Sequence, residues 1–420
     1  MDVIRVRGGR RLEGEVEVAG AKNAALPILF ATLLTDQRCV IRNLPDVRDV
    51  RTALRLLRNL GADIDQDGST VSIEVREVAS SEAPYELVKT MRASFLVLGP
   101  LLARSGRARV SQPGGCAIGG RPIDLHLQGL RHLGADVELV HGYTEARAGR
   151  LEGARIQLDF PSVGATEHLM MVAALASGET VIENAAREPE IIDLAAALSS
   201  MGAAIDGAGE ANVRIVGVET LHGMEHRVVP DRIEAGTFLI GGAMTRGDVL
   251  VRGARADDLQ ALIVKLREAG AEIDELDGAL RVRATHRPNG VDIKTLPYPG
   301  FPTDLQAQMM ALATISEGTS VIAETVFENR FMHANEFMRL GADIALDGHN
   351  AVVRGVDQLG GAPVMATDLR ASVSLILAGL VADNTTEVRR VYHLDRGYER
   401  IEEKLAALGA DVERRKGAGG

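Results

Sequence analysis

The stretch Leu60-Gly61-Ala62-Asp63-Ile64 recurs in close variants along the whole chain and is the main sequence evidence for its fold. Six copies occur in the 420 residues, and their glycines are 68 to 73 residues apart. A fixed internal period of this kind indicates a repeated structural unit. The sequence therefore predicts six units of about seventy residues each. We call the six glycines the marker glycines; they are Gly61, Gly134, Gly202, Gly270, Gly341 and Gly409.

Each marker glycine follows an amphipathic run, such as residues 50–60, and precedes a short alternating run, such as residues 71–75. This pattern predicts a helix that ends at a glycine with positive φ and is followed by strands. A more apolar helix and a further strand precede it, so the unit reads helix, strand, loop, helix, strand, strand. The six apolar helices are predicted at residues 24–34, 93–102, 165–176, 235–244, 305–315 and 371–381.

The apolar helices are hydrophobic nearly all round, which predicts that each is enclosed with sheets outside it. Six units grouped as three and three predict an α/β fold of two pseudo-threefold domains. The expected first domain covers residues 20–229, and the second combines residues 1–19 with residues 230–420. The domain boundary is expected near Val229-Pro230-Asp231, and the first nineteen residues are expected to supply a strand to the second domain.

Composition and charge narrow the possible function. The net charge is −11, and the chain has no Trp, five Tyr and eight Phe. Both features oppose nucleic-acid binding and a broad basic surface. No apolar run reaches the roughly 20 residues that span a bilayer, and the N-terminus has no signal-peptide layout. We therefore expect a cytoplasmic protein with no nucleic-acid or membrane partner, which binds anions only through focused cations.

The Gly-rich stretch from Gln112 to Arg121 predicts a loop that carries Cys116, one of two cysteines. A thiol on such a loop near an arginine favours the thiolate, so Cys116 is a candidate reactive group, although an inert loop thiol stays possible. Cys39 lies in a strand-like run and is expected to be a buried apolar residue. His126 alone does not make a Cys-His pair. The sequence shows no zinc spacing and no phosphate-binding loop, so no metal and no cofactor are predicted.

Charged residues occupy equivalent places in several units. Counting back 37 to 42 residues from each marker glycine reaches the start of its apolar helix. Cations there oppose the helix dipole, and a bound anion would remove the conflict, whereas a solvated charge is the alternative. The residues at these starts are Lys22, Arg92, Ser162, Arg232, Asp304 and Arg370, and the second loops hold Arg48, Arg121, Arg187, Arg255, Arg330 and Arg396.

Two aspartates allow more than one interpretation. Thr303-Asp304-Leu305-Gln306 matches a capping box, and an acid in a first turn stabilises a helix without further purpose. The alternative for Asp304 is a general base that faces a substrate hydroxyl. Asp368 is expected to cap its helix or to orient Arg370.

Nine segments spread over the chain form a distinctive set. They are Gly20-Ala-Lys-Asn-Ala-Ala-Leu-Pro27, Lys89-Thr-Met-Arg-Ala-Ser94, Pro113-Gly-Gly-Cys-Ala-Ile-Gly-Gly-Arg-Pro122, Ser162-Val-Gly-Ala-Thr166, Pro230-Asp-Arg-Ile-Glu234, Pro299-Gly-Phe-Pro-Thr-Asp304, Phe327-Glu-Asn-Arg-Phe-Met-His333, Thr367-Asp-Leu-Arg-Ala371 and Tyr392-His-Leu-Asp-Arg-Gly-Tyr398. With them the chain resembles the UDP-N-acetylglucosamine enolpyruvyl transferase family along essentially its whole length. The resemblance implies two inside-out α/β barrels, each of three repeats with enclosed helices and outer sheets.

The resemblance also implies an activity. The family transfers the enolpyruvyl group of phosphoenolpyruvate to the 3′-hydroxyl of UDP-N-acetylglucosamine by addition and elimination. Phosphate is released, and this is the first committed step of peptidoglycan synthesis for the cell wall. The implied catalytic residues are Cys116 as general acid, adduct-forming thiol and fosfomycin target, Asp304 as base, and Lys22 and Arg396.

The implied binding residues fall into two groups. Phosphoenolpyruvate would be bound by Lys22, Asn23, Arg92, Arg121, Arg330, Arg370 and Arg396. The nucleotide sugar would be bound by Asn23, Arg92, Arg121, Pro122, Ile123, Asp124, Leu125, Ser162, Val163, Gly164, Asp304 and Val326.

Two alternatives and one departure from the family pattern accompany this resemblance. The chain has Phe160-Pro161 where some members carry a basic residue near the nucleotide diphosphate. An enolpyruvyl transferase for another acceptor, such as shikimate 3-phosphate, is the alternative among enzymes. A non-catalytic sensor of nucleotide sugar is the alternative from another class.

Overall fold

The computed structural model describes residues 2–112 and 123–416 of the chain. They divide into two compact units, one made of residues 20–112 and 123–229, the other of residues 2–19 and 230–416. Each unit has its own hydrophobic core. Across the described residues, no helix combines the length and the apolar character needed to cross a bilayer.

The apolar helices predicted from the sequence are present and buried. In Gln306–Thr314 all nine residues are buried, and in Leu369–Val381 the whole run from Arg370 to Leu380 is buried. Such helices have no solvent-facing stripe, as their all-round apolar sequences predict. The six, with the short 3-10 turns that precede or follow three of them, are Lys22–Ala31 with Thr32–Leu34, Arg92–Val97 with Leu98–Ser105, Val163–Ala173, Arg232–Met244, Thr303–Leu305 with Gln306–Thr314, and Leu369–Val381.

The more polar helices end at the marker glycines. All six of these glycines have positive φ, from 88° at Gly134 to 108° at Gly61. A residue with a Cβ adopts this conformation only at a cost, which explains the choice of glycine at every repeat. These helices are Arg48–Asn59, Asp124–His132, Pro189–Ser200, Gln260–Glu268, Ala334–Arg339 and Ile401–Ala407; a further short helix is Tyr85–Val88, and isolated 3-10 turns are Ala256–Asp258 and Val391–Arg396.

Each unit contains three four-stranded sheets. In the unit of residues 20–229 the sheets, in strand order, are Glu225–Arg227, Cys39–Arg42, Thr70–Glu74, Asp63–Asp67; Glu82–Ala83, Arg107–Ser111, Tyr143–Arg147, Asp136–Val140; and Arg155–Gln157, Glu179–Glu183, Asn212–Val216, Ala204–Asp206. In the other unit they are Glu13–Glu17, Asp248–Arg252, Ala279–Arg283, Glu272–Leu276; Ile293–Lys294, Thr319–Ala323, Asn350–Arg354, Asp343–Asp347; and Pro363–Met365, Thr385–Arg389, Asp2–Arg7, Asp411–Lys416. Leu359–Gly360 and Ala382–Asp383 form a separate pair.

The sheets have one strand more than the sequence pattern predicts. Each has a parallel edge strand, such as Glu225–Arg227 beside Cys39–Arg42, drawn from the segment between repeats or, in one sheet, from the N-terminus. The N-terminal residues supply two strands rather than one. Asp2–Arg7 pairs with both Thr385–Arg389 and Asp411–Lys416 and so completes the sixth repeat, while Glu13–Glu17 is the parallel edge of another sheet.

Candidate active site

Asp304 lies between two arginines from different repeats. Its Oδ1 accepts a hydrogen bond from Nη2 of Arg330 at 2.9 Å, and its Oδ2 accepts one from Nη2 of Arg370 at 2.7 Å. Asp304 belongs to the 3-10 turn before a buried helix, and Arg370 is the second residue of another buried helix. The structure therefore brings together three residues that the sequence predicts for one site.

The two arginines determine the charge state of Asp304. Burial by itself raises the pKa of this carboxyl, but attraction by Arg370 and Arg330 outweighs burial and holds the pKa well below its usual value. Asp304 is therefore a carboxylate at neutral pH. A carboxylate paired with two cations is a weak base, so it gains basicity only if another anion shares the arginines.

Both arginines have donors that Asp304 does not use. Their side chains are only 5% and 4% exposed. Nη1 of Arg330 and Nε of Arg370 have no hydrogen-bond partner among the described residues. A buried donor without a partner costs about 1–3 kcal/mol or more. Phosphate and carboxylate groups match the planar guanidinium and would satisfy such donors.

Tyr398 forms a hydrogen bond with Arg370 and connects it to neighbouring helices. Its hydroxyl oxygen accepts from Nη1 of Arg370 at 3.3 Å and lies 3.3 Å from Nε2 of Gln308 and 3.0 Å from the hydroxyl of Thr237. The Thr237 hydroxyl donates to the carbonyl of Ile233, so the Tyr398 hydroxyl donates to Thr237. Thr237, Gln308 and Arg370 lie on three different buried helices. The network therefore links the three apolar helices of this unit near the Asp304 carboxylate.

The helix starts around this site show one wrong and one correct prediction. The Thr303 hydroxyl donates to Oε2 of Glu324 at 2.8 Å instead of capping the helix, so the predicted capping box is wrong. The Thr303 hydroxyl accepts no capping hydrogen bond from the backbone of the turn that it begins. Asp368 accepts from the backbone N–H groups of Arg370 and Ala371 at 2.7 and 3.1 Å, which confirms it as an N-cap.

In the unit of residues 20–229, Lys22 is the first residue of its helix and its Nζ lies 3.3 Å from Oδ2 of Asp49. The Asp49 side chain is buried. A protein carboxylate therefore already offsets part of the cationic charge at this helix start, as Asp304 does for Arg370.

Arg92 begins a 3-10 turn near a pair of histidines. Nδ1 of His126 lies 3.2 Å from Nδ1 of His168, and the His126 ring meets Phe95 edge-on. Burial and the charge of Arg92 lower the pKa of His126 to about 3. Burial and His126 hold the pKa of His168 well below its usual value. Both rings are neutral at neutral pH, so His126 is not poised as a base there.

The remaining predicted binding residues lie mostly at helix starts, and helix N-termini favour anions. Asn23 follows Lys22 in its helix, and Ser162 caps the next one by accepting from the N–H of Ala165 at 3.3 Å. The N–H of Val326 donates to Oε1 of Glu324 at 2.9 Å. The other residues are Val163 and Gly164 in the first turn after Ser162, Ile123, Asp124 and Leu125 at the start of Asp124–His132, and Arg396 at the end of Val391–Arg396.

Comparison with known proteins gives the family. A family model described as EPSP synthase (3-phosphoshikimate 1-carboxyvinyltransferase) matches residues 6–405. The UDP-N-acetylglucosamine 1-carboxyvinyltransferase of Geobacter metallireducens is 59% identical over 416 residues, which are 99% of this chain and 100% of that protein. The protein of the same name from Geotalea uraniireducens is 60% identical over 414 residues, with 99% of each chain covered. The chain belongs to the UDP-N-acetylglucosamine 1-carboxyvinyltransferase family.

The family resemblance predicted from the nine segments is thus confirmed, and the chain is a transferase. Among solved structures, the enolpyruvyl transferase NikO from Streptomyces tendae matches with a TM-score of 0.89 at 27% identity, covering 98% of both chains. EPSP synthase from Acinetobacter baumannii matches with a TM-score of 0.78 at 17% identity, covering 99% of this chain and 100% of that chain, which shows a shared fold. The neighbours have mixed α/β folds, as the sequence predicts.

Some predicted residues lie outside the described part of the chain. These are Cys116, Arg121 and Pro122, so their roles stay predictions. Cys39 is fully buried as predicted, and burial raises the pKa of its thiol. Within residues 2–112 and 123–416, no group of three or more His, Cys, Asp or Glu side chains could hold a metal ion.

Sequence reasoning missed several partners of the predicted residues. Asp49, Tyr398 and Glu324 are examples, and each contacts a residue that lies elsewhere in the chain. A weak signal existed for Tyr398, which closes the segment Tyr392–Tyr398 that carries the family resemblance. For Gln308 and Thr237 the sequence gives no signal, because both lie within continuous apolar helices.

Proposed function

We propose that this protein transfers the enolpyruvyl group of phosphoenolpyruvate to the 3′-hydroxyl of UDP-N-acetylglucosamine with release of phosphate, the first committed step of peptidoglycan synthesis. The names of the two relatives support the reaction type and the acceptor. The observation that carries the proposal is the Asp304 carboxylate between Arg330 and Arg370, beside buried guanidinium donors without partners among the described residues. That arrangement fits a base next to a small dianion.

The low pKa of Asp304 is compatible with a role as general base if bound phosphoenolpyruvate raises that pKa. The phosphate and carboxylate of the substrate would attract Arg330 and Arg370, and the arginines would then stabilise the Asp304 carboxylate less. Its pKa would rise, so that it accepts the proton of the 3′-hydroxyl as the oxygen attacks C2 of the substrate. A positioned base of this kind contributes roughly 10²–10⁴-fold to the rate.

Addition and elimination also need an acid. As the new C–O bond forms at C2, a proton from the Cys116 thiol goes to C3 of the enol, which becomes a methyl group. In the second half the C2–O bond to phosphate breaks and C3 loses a proton, which restores the double bond. Cys116 is also proposed to form a covalent adduct with phosphoenolpyruvate and to be the target of fosfomycin.

Substrate binding is assigned to the residues that the family resemblance implies. For phosphoenolpyruvate these are Lys22, Asn23, Arg92, Arg121, Arg330, Arg370 and Arg396, with Lys22 and Arg396 also taking part in catalysis. For the nucleotide sugar they are Asn23, Arg92, Arg121, Pro122, Ile123, Asp124, Leu125, Ser162, Val163, Gly164, Asp304 and Val326.

We further propose that each unit is an inside-out α/β barrel of three repeats, and that the units are domains of residues 20–229 and of residues 1–19 with 230–420. Three helices enclosed by other elements and three four-stranded sheets in each unit support this description.

The test is phosphate release by the purified protein with phosphoenolpyruvate and either UDP-N-acetylglucosamine or shikimate 3-phosphate. We expect release with the first acceptor only. Fosfomycin should stop it and add its mass to Cys116, with no label in a Cys116→Ser variant and none on the buried Cys39. Release with shikimate 3-phosphate alone would assign the other acceptor, and binding of the nucleotide sugar without any release would indicate a sensor.

A further inference from the structure

Glu324 is a buried carboxylate that follows the strand Thr319–Ala323 and is 1% exposed. Its Oε1 accepts from the hydroxyl of Thr295 at 2.8 Å and from the N–H groups of Val326 and Phe327 at 2.9 and 3.1 Å. Its Oε2 accepts from the hydroxyl of Thr303 at 2.8 Å. One side chain thus holds three segments of the chain together.

Two of these segments carry the charged pair of the candidate site. Thr303 immediately precedes Asp304 in the same 3-10 turn. Phe327 begins the run that leads to Arg330, and the guanidinium carbon of Arg330 lies 5.1 Å from the centre of the Phe327 ring. Glu324 therefore binds the backbone of the segment that leads to Arg330, and it also binds the turn that contains Asp304.

The four donors to Glu324 are neutral groups. Burying a carboxylate among neutral donors is costly compared with an apolar side chain, because hydrogen bonds only partly replace its hydration. A site selected for stability alone would not need an acid here. A carboxylate does provide something an apolar residue lacks: it fixes the directions of four hydrogen bonds at once.

We propose that Glu324 is a positioning residue for the reaction, which sets the Asp304–Arg330 ion pair by fixing both segments that carry it. This inference builds on the proposed function, because it assigns Glu324 to the base of that reaction. Through Thr303 and Phe327, Glu324 keeps Arg330 at hydrogen-bond distance from Asp304 and so maintains the carboxylate form. Loss of this support lets the Asp304 turn and the Arg330 segment shift relative to each other, which loosens the ion pair.

The sharpest test uses the single link between Glu324 and the Asp304 turn. Thr303→Val removes the hydroxyl with little change in volume, and Thr303→Ser keeps it. We expect kcat to fall about tenfold to a hundredfold in Thr303→Val, because small misplacements of catalytic groups have effects of this order. We expect Thr303→Ser to stay within about threefold of the wild type. Thr144→Val is the control, since Thr144 is a buried threonine in a strand of the other unit and its hydroxyl has no partner among the described residues.

The pH profile separates positioning from a general loss of structure. With Arg330 less firmly paired, the pKa of Asp304 rises, so the acid limb of kcat/KM moves to higher pH in Thr303→Val. A merely structural defect lowers kcat/KM at every pH in proportion to the folded fraction, and it does not change the pH of the acid limb. An unmoved limb, or turnover in Thr303→Val equal to that of Thr303→Ser, would overturn the proposal.

A second pair of variants tests Glu324 itself without turnover. Glu324→Gln keeps the oxygen that accepts three hydrogen bonds, and Glu324→Ala loses all four. Carbon-13 NMR titration of the Asp304 carboxyl should show a higher pKa in Glu324→Ala than in Glu324→Gln. Equal pKa values would contradict the role of Glu324. If the two variants differ in the pKa of Asp304 but the wild type releases no phosphate, the proposed function fails while the positioning role stands.

Discussion

Asp304 shows how the surroundings of one residue decide between the roles that a sequence leaves open. A first-turn acid stabilises a helix wherever it occurs. Here the carboxylate oxygens are both directed at guanidinium groups, and the neighbouring hydroxyl that would complete a capping box is bound to Glu324. The contacts of Asp304 are therefore those of a charged site rather than of a helix cap.

At this scale we predict the effect of Asp304→Asn. The amide keeps the size of the side chain but cannot take the hydroxyl proton, so turnover should fall roughly 10²–10⁴-fold. Binding of UDP-N-acetylglucosamine, measured by calorimetry, should change by no more than about tenfold, the value of one ordinary hydrogen bond.

Asp368→Asn is the control for this substitution. Asp368 caps its helix through the N–H groups of Arg370 and Ala371, and asparagine caps as well as aspartate does. This variant should retain most of the turnover. Asp304→Asn turning over at the rate of the control would remove Asp304 from the chemistry.

The sequence predicts the charged residues of this site but not the groups that orient them. Asp304 and Arg370 occupy equivalent helix starts in two repeats, and Arg330 belongs to the second series, that of the loop arginines. Their positions in the repeat therefore single them out in the sequence. The contact of Tyr398 with Thr237 is known only from the fold, because the two residues are 161 positions apart in the chain. Hydrogen bonds between side chains on separate helices leave no local pattern in the sequence.

At the scale of elements, the repeat is built around helices that end at a glycine. The six marker glycines share positive φ but differ in their surroundings. A Cβ added at Gly61 would lie 2.8 Å from the carbonyl oxygen of Glu77, whereas one added at Gly341 would meet nothing within 4 Å. The same turn is therefore closely packed in one repeat and open in another.

This difference predicts unequal effects of one substitution. Gly341→Ala should lower the free energy of unfolding by about 1–2 kcal/mol through backbone strain alone. Gly61→Ala should lower it by about 1–3 kcal/mol more, because backbone atoms have to shift as well. Denaturant unfolding of the two variants and the wild type measures both values. Equal losses would show that the contact at Gly61 costs nothing to relax.

Most of the strands that the sequence missed are short. The edge strands Glu82–Ala83 and Ile293–Lys294 have two residues each, too few for alternation to be seen. Each of these edge strands is defined by its hydrogen bonds to the longer strand beside it, and not by its own sequence pattern. The last repeat has one strand after its marker glycine, and the partner of that strand is Asp2–Arg7, which agrees with the strand expected from the first nineteen residues.

At the scale of the whole molecule, the charge distribution is uneven. The chain carries a net charge of −11, yet it places Arg330 and Arg370 in a buried setting with unused donors. Focused cations within an acidic protein favour a small anionic substrate and oppose polyanions. The enolpyruvyl transfer proposed here is consistent with that distribution, and it makes a direct prediction about where solvent hydrogen enters the product.

The most direct measurement of the central claim is mass spectrometry and NMR of the product formed in D₂O from phosphoenolpyruvate and UDP-N-acetylglucosamine. Addition places a solvent-derived proton on C3 before elimination removes one, so the vinyl group of the product should carry deuterium. The Asp304→Asn variant should form little product of any kind. A wild-type product whose vinyl group contains no deuterium would contradict transfer by addition and elimination.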